Sequence, residues 1–264
     1  MTEAIFVRDG ERFVPTDLAR GPWDPRAQHG GAPAALLASL VERFEGGEAM
    51  FVARLTIELL RPVPLSPLLA RTRWARQGRK VQLVETALFA GETEVARVTG
   101  LRIRRADVAM PTDLPHHEPP PGPQAGRHTL PPWAQTAGER AFHSHAVEHR
   151  FVRGTFMEPG AATDWIRLRV ALIAGEETSP LSRVAAAADF GNGVSWILSR
   201  VEGYSFINPD LTIYLHRQPV GEWVCLEAVT YPSELGVGLA ESMLYDEGGP
   251  IGRSAQSLII DRSS

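Results

Sequence analysis

The alternation of apolar and polar residues along this chain marks out two sets of strands in the same order. In the first, "LTIELLR" (55–61) is followed by "LLARTRWARQ", "KVQLVETALFA" and "EVARVTGLRIRR". In the second, "LTIYLHR" (211–217) is followed by "EWVCLEAVTYP", "GVGLAESMLYDE" and "PIGRSAQSLIID". The period of two in Val81-x-Leu83-x-Glu85 is that of a half-buried antiparallel strand. Leu, Thr, Ile, Leu and Arg recur in the two seven-residue stretches, 156 positions apart from Leu55 to Leu211. At the same offset Val95-Ala96-Arg97 meets Ile251-Gly252-Arg253, so one folding unit occurs twice. "AGE" (90–92) and "DEGG" (246–249) stand where hairpin turns should be.

Each half also carries one helical period. Leu36, Leu37, Leu40, Val41 and Phe44 are spaced for a helix near 31–45, ended by Gly46-Gly47. "SPLSRVAAAADF" starts a second near 180–190, with Ser179 as N-cap and Pro180 at the first helical position. Alanine-rich faces on both would let a sheet wrap closely around them. The fold class expected is therefore α+β, with two antiparallel sheets each wrapped around a central helix. Between the halves, eight of the 21 prolines fall within 111–132. Proline lacks an amide donor and resists both helix and central strand, so this stretch reads as an extended linker. The division expected is an N-terminal unit at 1–105, a Pro-rich linker at 106–139 and a C-terminal unit at 140–264.

Composition narrows the function classes. The 264 residues are 44% hydrophobic and 22% charged, enough to bury a sizeable core. A net charge of −4 gives no electrostatic footprint for nucleic acid, so no nucleic-acid partner is expected. No apolar run approaches the length of a membrane span, and the first residues lack the basic-then-apolar order of a signal peptide. A single cysteine, Cys225, excludes an intrachain disulfide framework and fits a reducing compartment. These features together read as a cytoplasmic protein without a membrane partner.

"WDPRAQHGGAPAALLASLVE" followed by "LTIELLRPVP", and "AAAADFGNG" followed by "LTIYLHR", resemble the TesB-like acyl-CoA thioesterase family. The resemblance runs from about Phe6 to Asp261. It implies a double hotdog fold, hydrolysis of the thioester of an acyl-CoA substrate without a cofactor, and a homo-oligomer. It also implies a polar trio in the second half that holds a nucleophilic water. Asp189 in "AAAADFGN" matches the family aspartate, and Gln256 in "GRSAQSLII" its glutamine. The third position, a Thr or Ser in the family, falls on Asn208 in "FINPDLTIYLHR". Under the repeat offset Gln256 answers to Gly100 and Asn208 to Val52, so one site per chain is expected.

The chemistry of these residues is consistent with that reading. Thioester hydrolysis needs an activated water and a donor to the carbonyl oxygen as it becomes anionic. A carboxylate can accept the proton, and the amides of Asn208 and Gln256 can hold the water from other sides. Against this stand an Asp189 that merely ends a helix and a Gln256 exposed on a strand. Gly30 and Gly31 open the first helix, where free amides can stabilise an anion, or where glycine merely lets helix and sheet approach. His29 before them reads as a substrate-side residue or as a structural hydrogen-bonding one.

"HSHAVEH" puts His143, His145 and His149 on one strand face, a possible zinc set, but a solvated face is the simpler reading and no metal is expected. Arg71, Arg73, Arg76, Arg79 and Lys80 sit on one hairpin and could meet coenzyme A phosphates or simply face solvent. Serine-hydrolase elbows and glycine-rich phosphate loops are missing. Two alternatives to the thioesterase stay open: a non-catalytic acyl-CoA-binding protein and an acyl-CoA hydratase or dehydratase.

Overall fold

The structure is a computed structural model that describes residues 3–111, 117–131 and 140–262. Parts of the proline-rich linker expectation, at 112–116 and 132–139, lie outside the described residues. The first half contains β1 (Ala4–Asp9), β2 (Arg12–Pro15), helix α1 (Gly31–Arg43), β3 (Met50–Leu59), β4 (Leu68–Arg76), β5 (Val81–Ala90) and β6 (Thr93–Arg104). The second begins with β7 (Arg127–His128), β8 (Val147–Arg153), β9 (Ala162–Leu168) and β10 (Ala171–Ile173). It continues with helices α2 (Pro180–Ala188) and α3 (Gly191–Val194), then β11 (Tyr204–Ile207), β12 (Asp210–Leu215), β13 (Trp223–Pro232), β14 (Val237–Asp246) and β15 (Gly249–Arg262).

The two sheets expected are joined edge to edge. They join into one continuous sheet in the order β10-β1-β2-β4-β5-β6-β3-β12-β15-β14-β13-β9-β8-β7, with β11 also paired to β15. The physical reason is the edge problem. β3 and β12 would each leave a row of unpaired amides and carbonyls, and pairing with one another satisfies both. The sheet is also not wholly antiparallel, because β1 pairs with β10 in parallel. Only Arg169 and Val170 separate β9 from β10, yet these strands stand far apart along the sheet path, so the sheet curls back towards itself.

The register turns the repeat into symmetry. β12 runs antiparallel to β3 with Thr212 opposite Thr56, Leu211 opposite Ile57 and Ile213 opposite Leu55. Each of those pairs maps onto its mirror under the repeat offset, so a pseudo-twofold axis passes through the Thr56–Thr212 pair. The mapping persists outward: Leu226 opposite Leu244 repeats Ala70 opposite Leu88, and Ala240 opposite Gln256 repeats Val84 opposite Gly100.

The two helices lie antiparallel against each other. A β-carbon on Gly31, at the start of α1, would sit 2.7 Å from the Ala186 carbonyl near the end of α2. At the other end, Arg43 Nη2 donates to the Glu177 carbonyl (2.8 Å) just before α2. α1 packs on β3, β5 and β6, and α2 on β9, β12 and β13. Ser179 caps α2 by accepting from the Ser182 amide (3.2 Å), as its sequence signal requires. α1 ends differently. The fully buried Arg102 reaches up from β6 and donates to the carbonyls of Val41 (3.3 Å), Phe44 (2.7 Å) and Glu45 (2.8 Å).

That fully buried guanidinium satisfies carbonyls at the end of α1 that have no partner within the helix. Arg102→Met should therefore destabilise the fold by about 2–4 kcal/mol, the penalty of leaving buried acceptors unpaired. Urea unfolding checks this through the midpoint. An unchanged midpoint means that the carbonyls find other partners.

Candidate active site

Asp189 follows the four alanines of α2 and caps the helix at its C-terminal end. The helix dipole disfavours an anion there, and the carboxylate side chain is only 4% exposed. It must be compensated by neighbours, and three are in place. Asn208 Nδ2 donates to Oδ1 (2.9 Å). Gln256 Nε2 donates to the Asp189 main-chain carbonyl (3.1 Å) and lies 3.4 Å from Oδ1. His29 Nδ1 is 3.0 Å from Oδ2. Gly30 leaves the space: a β-carbon there would come within 2.8 Å of both carboxylate oxygens.

Each partner is itself held. Gln256 Oε1 accepts from the Asn192 amide (3.1 Å), which fixes the side chain so that its NH₂ faces Asp189. Gly191 allows this approach, since a β-carbon there would lie 2.9 Å from Gln256 Oε1. Asn208 sits just before β12 and also donates to the Asp210 carbonyl (3.4 Å). His29 is packed between Phe142 and Phe190, with ring centroids 4.9 and 4.5 Å away. Its Nδ1 faces two groups, because the Gly31 amide also points at it (3.0 Å). One nitrogen cannot accept from Gly31 and donate to Asp189 at once. A proton on Nδ1 serves the carboxylate in a charge-assisted bond and leaves the Gly31 N–H without that acceptor.

All six residues picked out in the sequence thus meet at one place, where the start of α1 crosses the end of α2. Asp189, Asn208, Gln256, His29 and Gly30 are in direct contact, and Gly31 joins them through the imidazole. Phe142, Phe190, Asn192 and Ser242 had not been singled out. Asn192 Oδ1 and Ser242 Oγ are buried with no hydrogen-bond partner among the described residues. "DFGNG" around Asp189 was the available signal for Phe190 and Asn192; nothing local marks Phe142 or Ser242.

The histidine cluster is not the solvated strand face expected. Residues Phe142–Ala146 form a single π turn, and His143 and His149 are buried. His149 Nδ1 lies 2.6 Å from Asp164 Oδ2, with both side chains fully buried. Burial pushes the Asp164 carboxyl up, against the pull of the neighbouring His149. Hydrophobic packing wins over solvation here because Phe151, Phe156 and Phe190 surround the His149 ring. Among the described residues no group of three His, Cys, Asp or Glu side chains is placed to hold a metal ion. Cys225 is a core residue whose thiol burial pushes well up, which makes it a poor nucleophile. On the basic hairpin, Arg73 pairs with Glu85 and Arg71 stacks over Phe89.

A buried carboxylate fed by two amides and an imidazole thus lies at the junction of two antiparallel helices on one curled sheet. Residues 19–103 match the acyl-CoA thioesterase N-terminal domain model and residues 111–260 the acyl-CoA thioesterase C-terminal domain model. The chain belongs to the acyl-CoA thioesterase family, and its activity is that of a thioester hydrolase. A search of curated proteins finds no match. Among solved structures, a candidate thioesterase II of Thermobifida fusca YX is similar at 20% identity and TM-score 0.74, covering 99% of this chain and 98% of its own. A hot dog fold protein of Alicyclobacillus acidocaldarius aligns at 15% identity and TM-score 0.71, over 98% and 96% of the two chains. Acyl-CoA thioesterase II TesB2 of Mycobacterium marinum aligns at 14% identity and TM-score 0.64, over 100% and 96%. At these identities the likeness shows the fold.

Gly30→Ala should drive the Asp189 carboxylate off its seat and destabilise the protein by about 1–3 kcal/mol, the usual penalty of overpacking. Thermal unfolding with crystallography of the variant checks it. Wild-type stability with an unmoved Asp189 would show that the site has slack.

Proposed function

We propose that this protein hydrolyses acyl-CoA thioesters through a water activated by Asp189. In this reading Asp189 accepts a proton from the water, whose oxygen attacks the thioester carbonyl carbon. The carbonyl oxygen takes the negative charge, the carbon–sulfur bond then breaks, and the proton on Asp189 passes to the departing sulfur. Asn208 and Gln256 orient the carboxylate and the water. His29 holds Asp189 through Nδ1–H, and the Gly31 N–H released from Nδ1 serves the developing oxyanion. The observation that carries the reading is a carboxylate buried at a helix C-terminus and held by Asn208, Gln256 and His29. A purely structural carboxylate has no need of that position.

We further infer two hotdog units, 1–105 and 140–264, each around its own helix and bridged by the 106–139 linker. The offset and the register symmetry support that division. A cytoplasmic homo-oligomer completes the reading. Its support is an outward apolar row across neighbouring strands, with Ile207, Val237 and Ile259 each about half exposed, and the lone cysteine.

Thiol release over a panel of acyl-CoA chain lengths tests the activity. Asp189→Asn should lower kcat on the best substrate by about 10²–10⁴-fold, as expected for loss of a general base. Gln256→Ala should lower it less, and both variants should still bind acyl-CoA. An Asp189→Asn enzyme with wild-type turnover would refute the assignment. Binding without any thiol release in the wild type would make the protein a non-catalytic acyl-CoA binder. Light scattering should give a mass above the 28.9 kDa of one chain; a strict monomer at micromolar concentration would contradict the oligomer.

A further inference from the structure

The pseudo-twofold axis at Thr56–Thr212 gives the Asp189 cluster a counterpart at the other end of the helix pair. Asn208 maps to Val52 and Gln256 to Gly100. Gly100 stands against Val41, which a β-carbon there would meet at 2.3 Å, as Gln256 stands against Asp189. Aligning the helix starts, Gly30 with Ser179, sets His29 opposite Thr178. Each group of the cluster therefore has a different counterpart: leucine (Leu40 in the same helix alignment) for aspartate, valine for asparagine, glycine for glutamine, threonine for histidine. This end lacks the counterparts of the groups that surround Asp189.

The space has not been filled in. A cavity of about 470 Å³ opens at this end, within the range of small-molecule sites. Its walls are Met50, Val52, Leu181, Leu215 and Pro219, of which Val52, Leu181 and Leu215 belong to the inner core. At its rim Arg43 is already paired with Glu176, and Glu42 contributes a carboxylate of its own. Arg105, also at the rim, donates to the Gln218 amide oxygen (3.3 Å) rather than to a carboxylate. Core side chains at its base, and a rim guanidinium bonded to an amide rather than to a carboxylate, suit an aliphatic chain ending in an anion.

We propose that this cavity is a second, non-catalytic site that binds a fatty carboxylate, with the chain against Val52 and Leu215 and the head at Arg105. The choice of ligand rests on the thioesterase reading, whose product is a carboxylate; the cavity itself does not. The test is photolabelling of the full chain with a diazirine-bearing decanoate, followed by peptide mapping. Label should fall on the segments around 50–52 and 215–219 and should persist under excess coenzyme A. Val52→Trp, which fills the chamber, should cut that labelling by about tenfold or more. The surface change Arg105→Gln, which leaves the core intact, should weaken it about threefold. Label confined to the 189–208 region, or unmoved by both variants, would overturn the proposal. So would displacement by coenzyme A alone, which would make the cavity a nucleotide site. Because labelling is read without turnover, an inactive enzyme that still labels here would refute the catalytic reading and leave the cavity standing.

Discussion

The antiparallel pairing of β3 with β12, centred on Thr56 opposite Thr212, is the constraint on which the rest depends. It consumes two strand edges that would otherwise stay open. Because the paired segments are copies of one sequence pattern, it also forces the two halves into a pseudo-twofold relation. The helices must then run antiparallel across the axis, which brings the glycine start of α1 onto the alanine-rich end of α2. Small residues on both sides permit the contact: the β-carbon positions at Gly30 and Gly31 are already occupied by Asp189 and Ala186 atoms.

Symmetry of the backbone then meets asymmetry of the side chains. At one end an anion sits where the helix dipole opposes it, stabilised by Asn208, Gln256 and the aromatic-boxed His29. At the other, the corresponding helix end is closed by Arg102, whose guanidinium takes up the Val41, Phe44 and Glu45 carbonyls. Its offset partner in the second half is Leu258, which cannot do this. The Asp189 end gathers its polar groups around one carboxylate, and the Arg102 end spends its guanidinium on helix carbonyls.

Much of this was legible in the sequence, and the reasons are specific. Strands with one solvated face, such as Val81–Ala90, alternate visibly, and the offset follows from them. Pro180 after Ser179 and the Gly46-Gly47 pair mark helix ends by local chemistry. β9 was missed because its leading residues are buried on both faces, which erases the period of two. In the site, the family motif pointed to Asp189, Asn208 and Gln256. Nothing in "HSHAVEH" shows that Phe142 stacks on His29 or that His149 is buried against Asp164, since both contacts come from distant elements.

The central claim is that catalysis occupies one end of a symmetric frame. It is tested most directly by a crystal structure of the Asp189→Asn protein with a non-hydrolysable acyl-CoA thioether. The account predicts one thioether per chain, its sulfur beside Asn208 and Gln256 at the start of α1. A thioether sulfur at the Val52 end, or equally at both ends, would contradict it.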